Sequence, residues 1–483
     1  MSQAPANSET GRLRAKLDHE RDKVRKLVDA KSRLLMDRAA WHAERGVLQR
    51  RLAVLQSQHH LLLADREHVE SSGVPIRILV VGRVRKTIVE FLSTAVVTQD
   101  STQGPFDLLV IPRPEKRDLD RIAREIPESV WSAVRMGQTR LILDGSSEGH
   151  VHRLVLEQFR LLAEQTGVPL RETIYLIQDR LAAQPSASVG RRFEVPLSVI
   201  NYDYHLHKTL WPMLKHGEAV FREGYDHYLR APRRGRRAFL SLNFSPRAHR
   251  VLLLARLLRD GLWNDGFISF GGFGAVSDED IQAGQLAGRI DWRGFEAAQD
   301  EAAPWVSGLH RKGAILFGMP EVAGASGSAR RLLRARGLHE YRRSWFSVVT
   351  ETEMRADILR VTEKTLKPVL NFHPFAVLGN PGALRLIKSY GLQTFPELFD
   401  ESYDDEEDTI RRFDLVYDQV RRLARMEEAE LDRLEASVAE KVIFNAHWAL
   451  TRLPRLFQAT LLPAAIERML PRRSFGPARA PLS

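Results

Sequence analysis

Short apolar runs alternating with helix-length stretches constrain this chain more than any other feature of it. "IRILVVG" (76–82), "FDLLVIP" (106–112), "TRLILDG" (139–145) and "TIYLIQD" (173–179) have strand length. Helix-like stretches near 114–136 and 149–166 lie between them. Strands that are apolar throughout are covered on both faces, and parallel neighbours need a crossover long enough to hold a helix. The alternation therefore predicts a parallel sheet in an α/β layer.

A helical stretch around 206–229 and a basic linker, "RAPRRGRR" (230–237), follow, and then a second series begins. "RRAFLSLNF" (236–244), "GFISFGGFG" (266–274), "GAILFGM" (313–319), "SWFSVVTET" (344–352) and "FAVLG" (375–379) are its expected strands. "SPRAHRVLLLARLLRDG" (245–261) reads as a helix with Pro at its start and Gly at its end. Two Rossmann-like halves are expected, spanning 73–230 and 231–400, with ligand held between them. Beyond them, 401–483 reads as a helical extension with a basic tail.

Residues 1–72 read differently. Leu27, Leu34, Trp41, Leu48, Leu55, Leu62 and Val69 repeat at a strict seven. The companion seam mixes Leu17, Val24 and Leu52 with Lys31, Arg38, Arg45, His59 and Arg66. One good apolar seam predicts a coiled coil and a homo-oligomer, and the basic residues weaken it. A solvated helix lying on its own body is the alternative.

The 483-residue chain carries a net charge of +11 and no Cys. Without Cys there are no disulfides, thiolate zinc sites or Cys nucleophiles, and a reducing compartment fits. No signal-like or spanning stretch is read, so the expectation is a cytoplasmic protein. The positive charge points to anionic partners. The basic clusters lack interleaved aromatics and any helix-turn-helix, zinc-finger or RNA-recognition pattern, so no nucleic-acid partner is expected. The basic amphipathic C-terminal helix either joins the core or gives peripheral contact with an anionic membrane at its inner face.

Several motifs fail on inspection. "VVGRVRKT" (80–87) lacks the second glycine of a phosphate loop, and "GGFGAVS" (271–277) lacks the dinucleotide fingerprint. "HLH" (205–207) has no evident third ligand, so no metal and no cofactor are expected. "SLNFSPRAHR" (241–250) is more informative. Asn243 ends a strand, and Arg247 and Arg250 sit at the next helix start. Cations oppose the dipole there unless an anion binds between them. In "SVVTETEMRADILRVTEKTLKP" (347–368), Glu351, Glu363 and Lys364 fall at the C-terminal edge of the second sheet. A carboxylate there suits the two hydroxyls of a ribose, and a lysine suits a phosphate. A capping box is the structural alternative, but Thr362 plus three is Thr365, not Glu or Gln. "FDESYD" (399–404) and "FHPF" (372–375) add Tyr403, Asp404 and His373 as expected sugar or acceptor contacts.

A strand ending in Glu, then "VTEK", a helix and a strand ending in Gly resembles the donor segment of α1,3-fucosyltransferases. Those enzymes carry Glu-Asn-(Ser/Thr) at the strand end and Tyr-Val-Thr-Glu-Lys at the helix. Here Glu351-Thr352-Glu353 and Arg360 replace the Asn-(Ser/Thr) pair and the Tyr. The wider run from "LNFSPRAHR" to "FDESYD" is also similar to uncharacterised bacterial and viral proteins of glycan loci. The resemblance implies two Rossmann-like domains in the GT-B arrangement and transfer from a nucleotide-sugar donor, a GDP-sugar above all. The acceptor would be a glycan, a lipid-linked glycan or a protein. It places Glu363 on the ribose, Lys364 on the diphosphate, Arg250 or Arg247 as a second phosphate ligand, and Glu351 at the upstream Glu.

Inverting transfer needs a general base from the opposite side of the cleft. The expected candidates are Glu148, Asp144 and Asp203, with Glu148 first because it opens a helix at the sheet edge. His205 and His207 stand beside Asp203. The rival expectation is a non-enzymatic coiled-coil scaffold built on a degenerate transferase fold.

Overall fold

The computed structural model describes residues 77–81, 88, 106–114, 118–147, 153–182, 198–231, 235–273, 290–313, 315 and 339–470. All belong to one compact unit, Ile76–Ser483. The heptad region, Glu148 and the tail beyond 470 lie outside the described residues.

The α/β class expected from the alternation is observed, built on two parallel sheets. The first has five strands in sequential order: β1 (Ile78–Val80), β2 (Leu108–Pro112), β3 (Arg140–Asp144), β4 (Thr173–Ile177) and β5 (Ser198–Asn201). β5 was not expected as a strand, because Pro196 interrupts its apolar run "VPLSVI". Between β2 and β3 the expected single helix is two, α1 (Leu119–Glu125) and α2 (Glu128–Arg135), parted at Pro127. Helix α3 (Arg153–Thr166) joins β3 to β4.

Sequential order has a consequence for burial. With right-handed crossovers, every connecting helix falls on one face of the sheet. Leu109, Ile111, Leu141, Leu143, Tyr175 and Ile177 face that side and meet Ile122, Trp131 and Phe159. Their neighbours Leu108, Val110, Ile142, Ile174 and Leu176 point the other way, as strand pleating requires. Among the described residues Ile88, Tyr202 and Tyr204 pack on them, and so do Leu462, Ala465, Ile466 and Met469 from a helix far along the chain.

The second sheet runs β7 (Gly266–Ser269), β6 (Arg237–Leu242), β8 (Ser344–Thr350), β9 (Phe375–Leu378). Of the expected strand at 313–319, only Ile315 is described beyond residue 313, in an isolated antiparallel bridge to Phe270. Helices α4 (Tyr204–Leu210) and α5 (Met213–Leu229), parted at Pro212, send Leu206, Leu210, Met213 and Val220 into the second sheet's core. Helices α6 (Ala248–Arg259), α7 (Glu296–Lys312), α8 (Glu363–Leu370) and α9 (Ala383–Ser389) complete that layer with α10 (Thr409–Ala424) and α11 (Glu428–His447). A Cβ on Gly217 of α5 would lie 1.8 Å from the Leu450 carbonyl oxygen, so only glycine admits this backbone approach.

Helix α12 (Leu462–Met469), the last among the described residues, thus belongs to the first sheet. Its buried apolar side chains are in protein core, the first of the two alternatives for this segment. Among the described residues no helix is long and apolar enough to cross a membrane.

Candidate functional site

The strand order β7-β6-β8-β9 reverses direction between β6 and β8. In open parallel sheets that switch point opens a crevice beyond the carboxyl ends of the strands. Asn243 directly follows β6 at this carboxyl edge. Its Oδ1 accepts from Thr350 Oγ1 at 2.8 Å, and its Nδ2 donates to Ser241 Oγ at 3.0 Å. Asn243 is buried and serves as a strand-end tie.

Arg250, on the first turn of α6, spans the switch point. Its Nη2 donates to the Thr350 and Glu351 carbonyls at 3.2 and 3.1 Å, while its buried Nε has no hydrogen-bond partner. Burial, then the neighbouring Arg247, pulls the guanidinium down to about 10. Arg247 donates to Glu353 at 3.2 Å, and Arg360 lies 3.7 Å from the same carboxylate oxygen. Lys367 is held below its ordinary value by burial in the first place and by Lys364.

Glu351 does not face the crevice as a ligand. Its oxygens accept from Thr362 N at 2.9 Å, Thr362 Oγ1 at 2.7 Å and Thr365 Oγ1 at 2.6 Å. The residue is 1% exposed. Thr362 is the N-cap of α8, and its side chain accepts from Lys364 N at 3.3 Å. A capping arrangement is therefore present after all. Its carboxylate comes from the end of β8, eleven residues upstream of Thr362, where no local spacing rule would look. Lys364 Nζ donates to Thr352 Oγ1, Thr362 Oγ1 and Glu363 at 3.1–3.3 Å. Glu363 stays about a third exposed, as does His205, whose Nδ1 is 3.9 Å from it. Burial would raise the Glu363 carboxyl, but Lys364, His205 and Lys367 outweigh it and hold it down to about 2.

Arg247, Arg250, Arg360, Lys364 and Lys367 thus stand against Glu351, Glu353, Glu363 and, beside Arg360, Asp179, five cations to four carboxyl groups. No family model, curated protein or solved structure matches this chain. The chemistry of the crevice therefore rests on its own residues. Its cation surplus suits an anion with more than one charge. Among the described residues no group of three or more His, Asp or Glu side chains is placed to hold a metal ion.

The carboxyl edge of the first sheet meets this region. Gln178 Nε2 donates to the Val361 carbonyl at 2.8 Å, Arg180 N to Leu359 O at 2.8 Å, and Leu359 N to Asp179 at 2.9 Å. His205 Nε2 contacts the Ser147 carbonyl at 2.7 Å and brings its ring to Glu363. Burial pushes Asp179 up to about 6, against the pull of its backbone donors and Arg360. A folded-state value above the unfolded one, near 3.9, means stability is highest below about pH 4 and declines as pH rises through 6. Asp179→Asn cannot titrate. Its stability relative to the wild type is expected to improve by about 2 kcal/mol between pH 4 and 7 in urea unfolding. A gap that stays constant with pH would count against this seam.

The expected bases fare differently. Asp144 is fully buried and accepts from Ile88 N, Ser146 N and Ser146 Oγ at 2.8, 3.1 and 2.6 Å. Asp203 Oδ2 is bonded by the Arg180 guanidinium and by Tyr390 OH at 2.5 Å. Burial raises both carboxyls above the usual range. The structure thus turns Asp144 and Asp203 to loop and seam architecture. Glu148 is outside the described residues. The three expected sugar contacts are likewise part of the scaffold. Tyr403 OH accepts from Val377 N at 3.3 Å within the core. Asp404 accepts from Leu384 N and Arg385 N at the start of α9 at 2.8 and 3.0 Å. His373 bonds Ser347 Oγ at 2.7 Å and the Ser344 carbonyl at 3.0 Å, and burial brings it down to about 3.

Lys367, Arg360 and Glu353 were not singled out as ligands. Lys367 lies three residues after Lys364, one helical turn along the same face, and that periodicity was the available signal.

Proposed function

We propose that the protein is a glycosyltransferase that takes a sugar from a nucleotide-diphosphate donor. The observation that carries this reading is the cation surplus at the β6–β8 crevice, with the buried Arg250 Nε unpartnered beside Lys364 and Glu363. Negative charge develops on a leaving diphosphate, and fixed cations in a partly buried crevice stabilise it without reorganising. Glu363, anionic above about pH 2, is suited to accept from ribose hydroxyls. The GT-B arrangement is the finer fold reading, with the first half serving the acceptor and the second the donor. Contact of the first sheet's carboxyl edge with residues 359–361 supports it. A GDP-sugar donor, a glycan, lipid-linked or protein acceptor, and self-association through residues 1–72 complete the proposal. A cytoplasmic location fits it.

The test is a thermal-shift panel of GDP, UDP, CDP and their sugars on the wild type, Glu363→Ala and Lys364→Ala. A nucleoside diphosphate at a hundred times its Kd stabilises by about 2.7 kcal/mol. That gain should disappear in both variants. Silence across the panel, with all three proteins folded, would sink the donor site.

A second reading has one observation in its favour. Asp144 is committed to internal hydrogen bonds, and Asp203 is held through Oδ2 by Arg180 and Tyr390 with its other oxygen buried, whereas an inverting transferase needs an accessible base opposite the donor. A scaffold that retained a nucleotide site without turnover would have this construction. It predicts nucleotide binding with no donor hydrolysis or transfer.

A further inference from the structure

Phe244 follows Asn243 at the carboxyl edge of β6 and is 51% exposed. Among the described residues it is the only aromatic in the set of large exposed hydrophobic side chains. An isolated exposed Phe on a surface calls for no explanation. This one is fixed in place. Its carbonyl accepts from Gly271 N at 3.0 Å, just past β7. A Cβ at Gly271 would fall 2.4 Å from that carbonyl oxygen and 3.1 Å from Phe244 Cδ2. Glycine therefore permits the approach, and the ring stands beside the end of β7. On the other side of the loop, Ser245 O accepts from Arg250 Nη1 at 3.3 Å. One five-residue turn (243–247) thus joins an apolar ring to the anion-binding cations.

The geometry points to Phe244 as a stacking platform for the base of a nucleoside diphosphate. This inference rests on the donor reading above and specifies how that donor is recognised. The ring lies at the β7 edge and the cations at the β8 edge, with β6 between them. Two inter-strand spacings separate β7 from β8, about 10 Å. That is comparable to the reach from the base to the terminal phosphate of an extended nucleoside diphosphate. Inorganic pyrophosphate reaches only the cations. An aromatic face tolerates any base, so stacking selects a nucleotide over a bare anion without choosing among bases.

Isothermal titration of GDP, UDP, CDP and inorganic pyrophosphate into the wild type, Phe244→Ala and Phe244→Trp tests this. Phe244→Ala should weaken the bound nucleotide about tenfold or more. It should leave pyrophosphate within about twofold, and Phe244→Trp should restore nucleotide affinity. Equal losses for both ligands would show that Phe244 only holds the loop, and would overturn the platform. An unchanged nucleotide affinity in Phe244→Ala would overturn it too. In that case a nucleotide still lost in Lys364→Ala would leave the donor reading standing. Binding of pyrophosphate as tight as any nucleotide also rejects the platform. No binding of any of the four ligands rejects the platform and the donor site together.

Discussion

A chain ending at residue 461 is expected to lose its cooperative thermal transition and to collect in the insoluble fraction. The missing helix supplies Leu462, Ala465, Ile466 and Met469, each no more than 7% exposed, to the face of the first sheet opposite helices α1 to α3. Burial of three large apolar side chains and an alanine amounts to about 6 kcal/mol. Truncation also bares Val110, Ile142 and Leu176 on the strands beneath. A whole domain's net stability is only about 5–15 kcal/mol. Ile466→Asp should reproduce most of the defect in the full-length chain, because a charge would be forced into an apolar layer. Glu467→Ala, one residue along on the exposed side of α12, should not. Calorimetry showing a transition within a few degrees of the wild type for the truncated chain would mean that this face does not need its cover.

Arg412→Met is expected to cost about 3–5 kcal/mol, a size typical of removing one partner from a buried charged network. Arg412 is among the largest fully buried side chains of the protein. Its Nε donates to Gly379 O at 3.0 Å and its Nη1 to Glu407 O at 3.2 Å, and it also reaches the carbonyls of Glu406 and Met354. Each acceptor left dry costs about 1–3 kcal/mol. Met354 and Gly379 lie just past β8 and β9, so Arg412 anchors the loops at the carboxyl edge that forms the crevice. Urea unfolding should show the loss directly, and nucleotide affinity should weaken even with the variant still folded. A loss below about 1 kcal/mol would mean that water replaces the guanidinium there.

Much of the fold was legible because the relevant signal is local. Apolar runs of strand length produced β1 to β4 and β6 to β9, within about five residues of the expected limits. Pro127 and Pro212 split two expected helices, a local effect that the sequence itself carries. The assignment of α12 to the first sheet was not legible. An amphipathic helix shows that it has an apolar face, not which surface that face will meet.

The site divides along the same line. Arg247, Arg250, Glu363 and Lys364 flank strand ends and helix starts, and the fold brings them near one another. Glu351, Asp144, Asp203, Asp404, Tyr403 and His373 have equally suggestive sequence positions. In each case the partner that occupies the side chain is a backbone amide, carbonyl or polar side chain that local spacing did not reveal. Glu351 is the clearest instance, since its partners Thr362 and Thr365 lie across a loop that a pattern reader takes for ligand-binding sequence.

The sequential strand order also bears on how the protein is made. β5 ends at Asn201 and α12 begins at Leu462, so roughly 260 residues are synthesised between them. At about 10 residues per second that is on the order of half a minute on the ribosome. Throughout that interval the first sheet can form with one face lacking the α12 part of its cover, and exposed apolar surface of that kind is what chaperones recognise. A product that stops within that interval leaves the first sheet without this cover, and so carries its own mark for disposal.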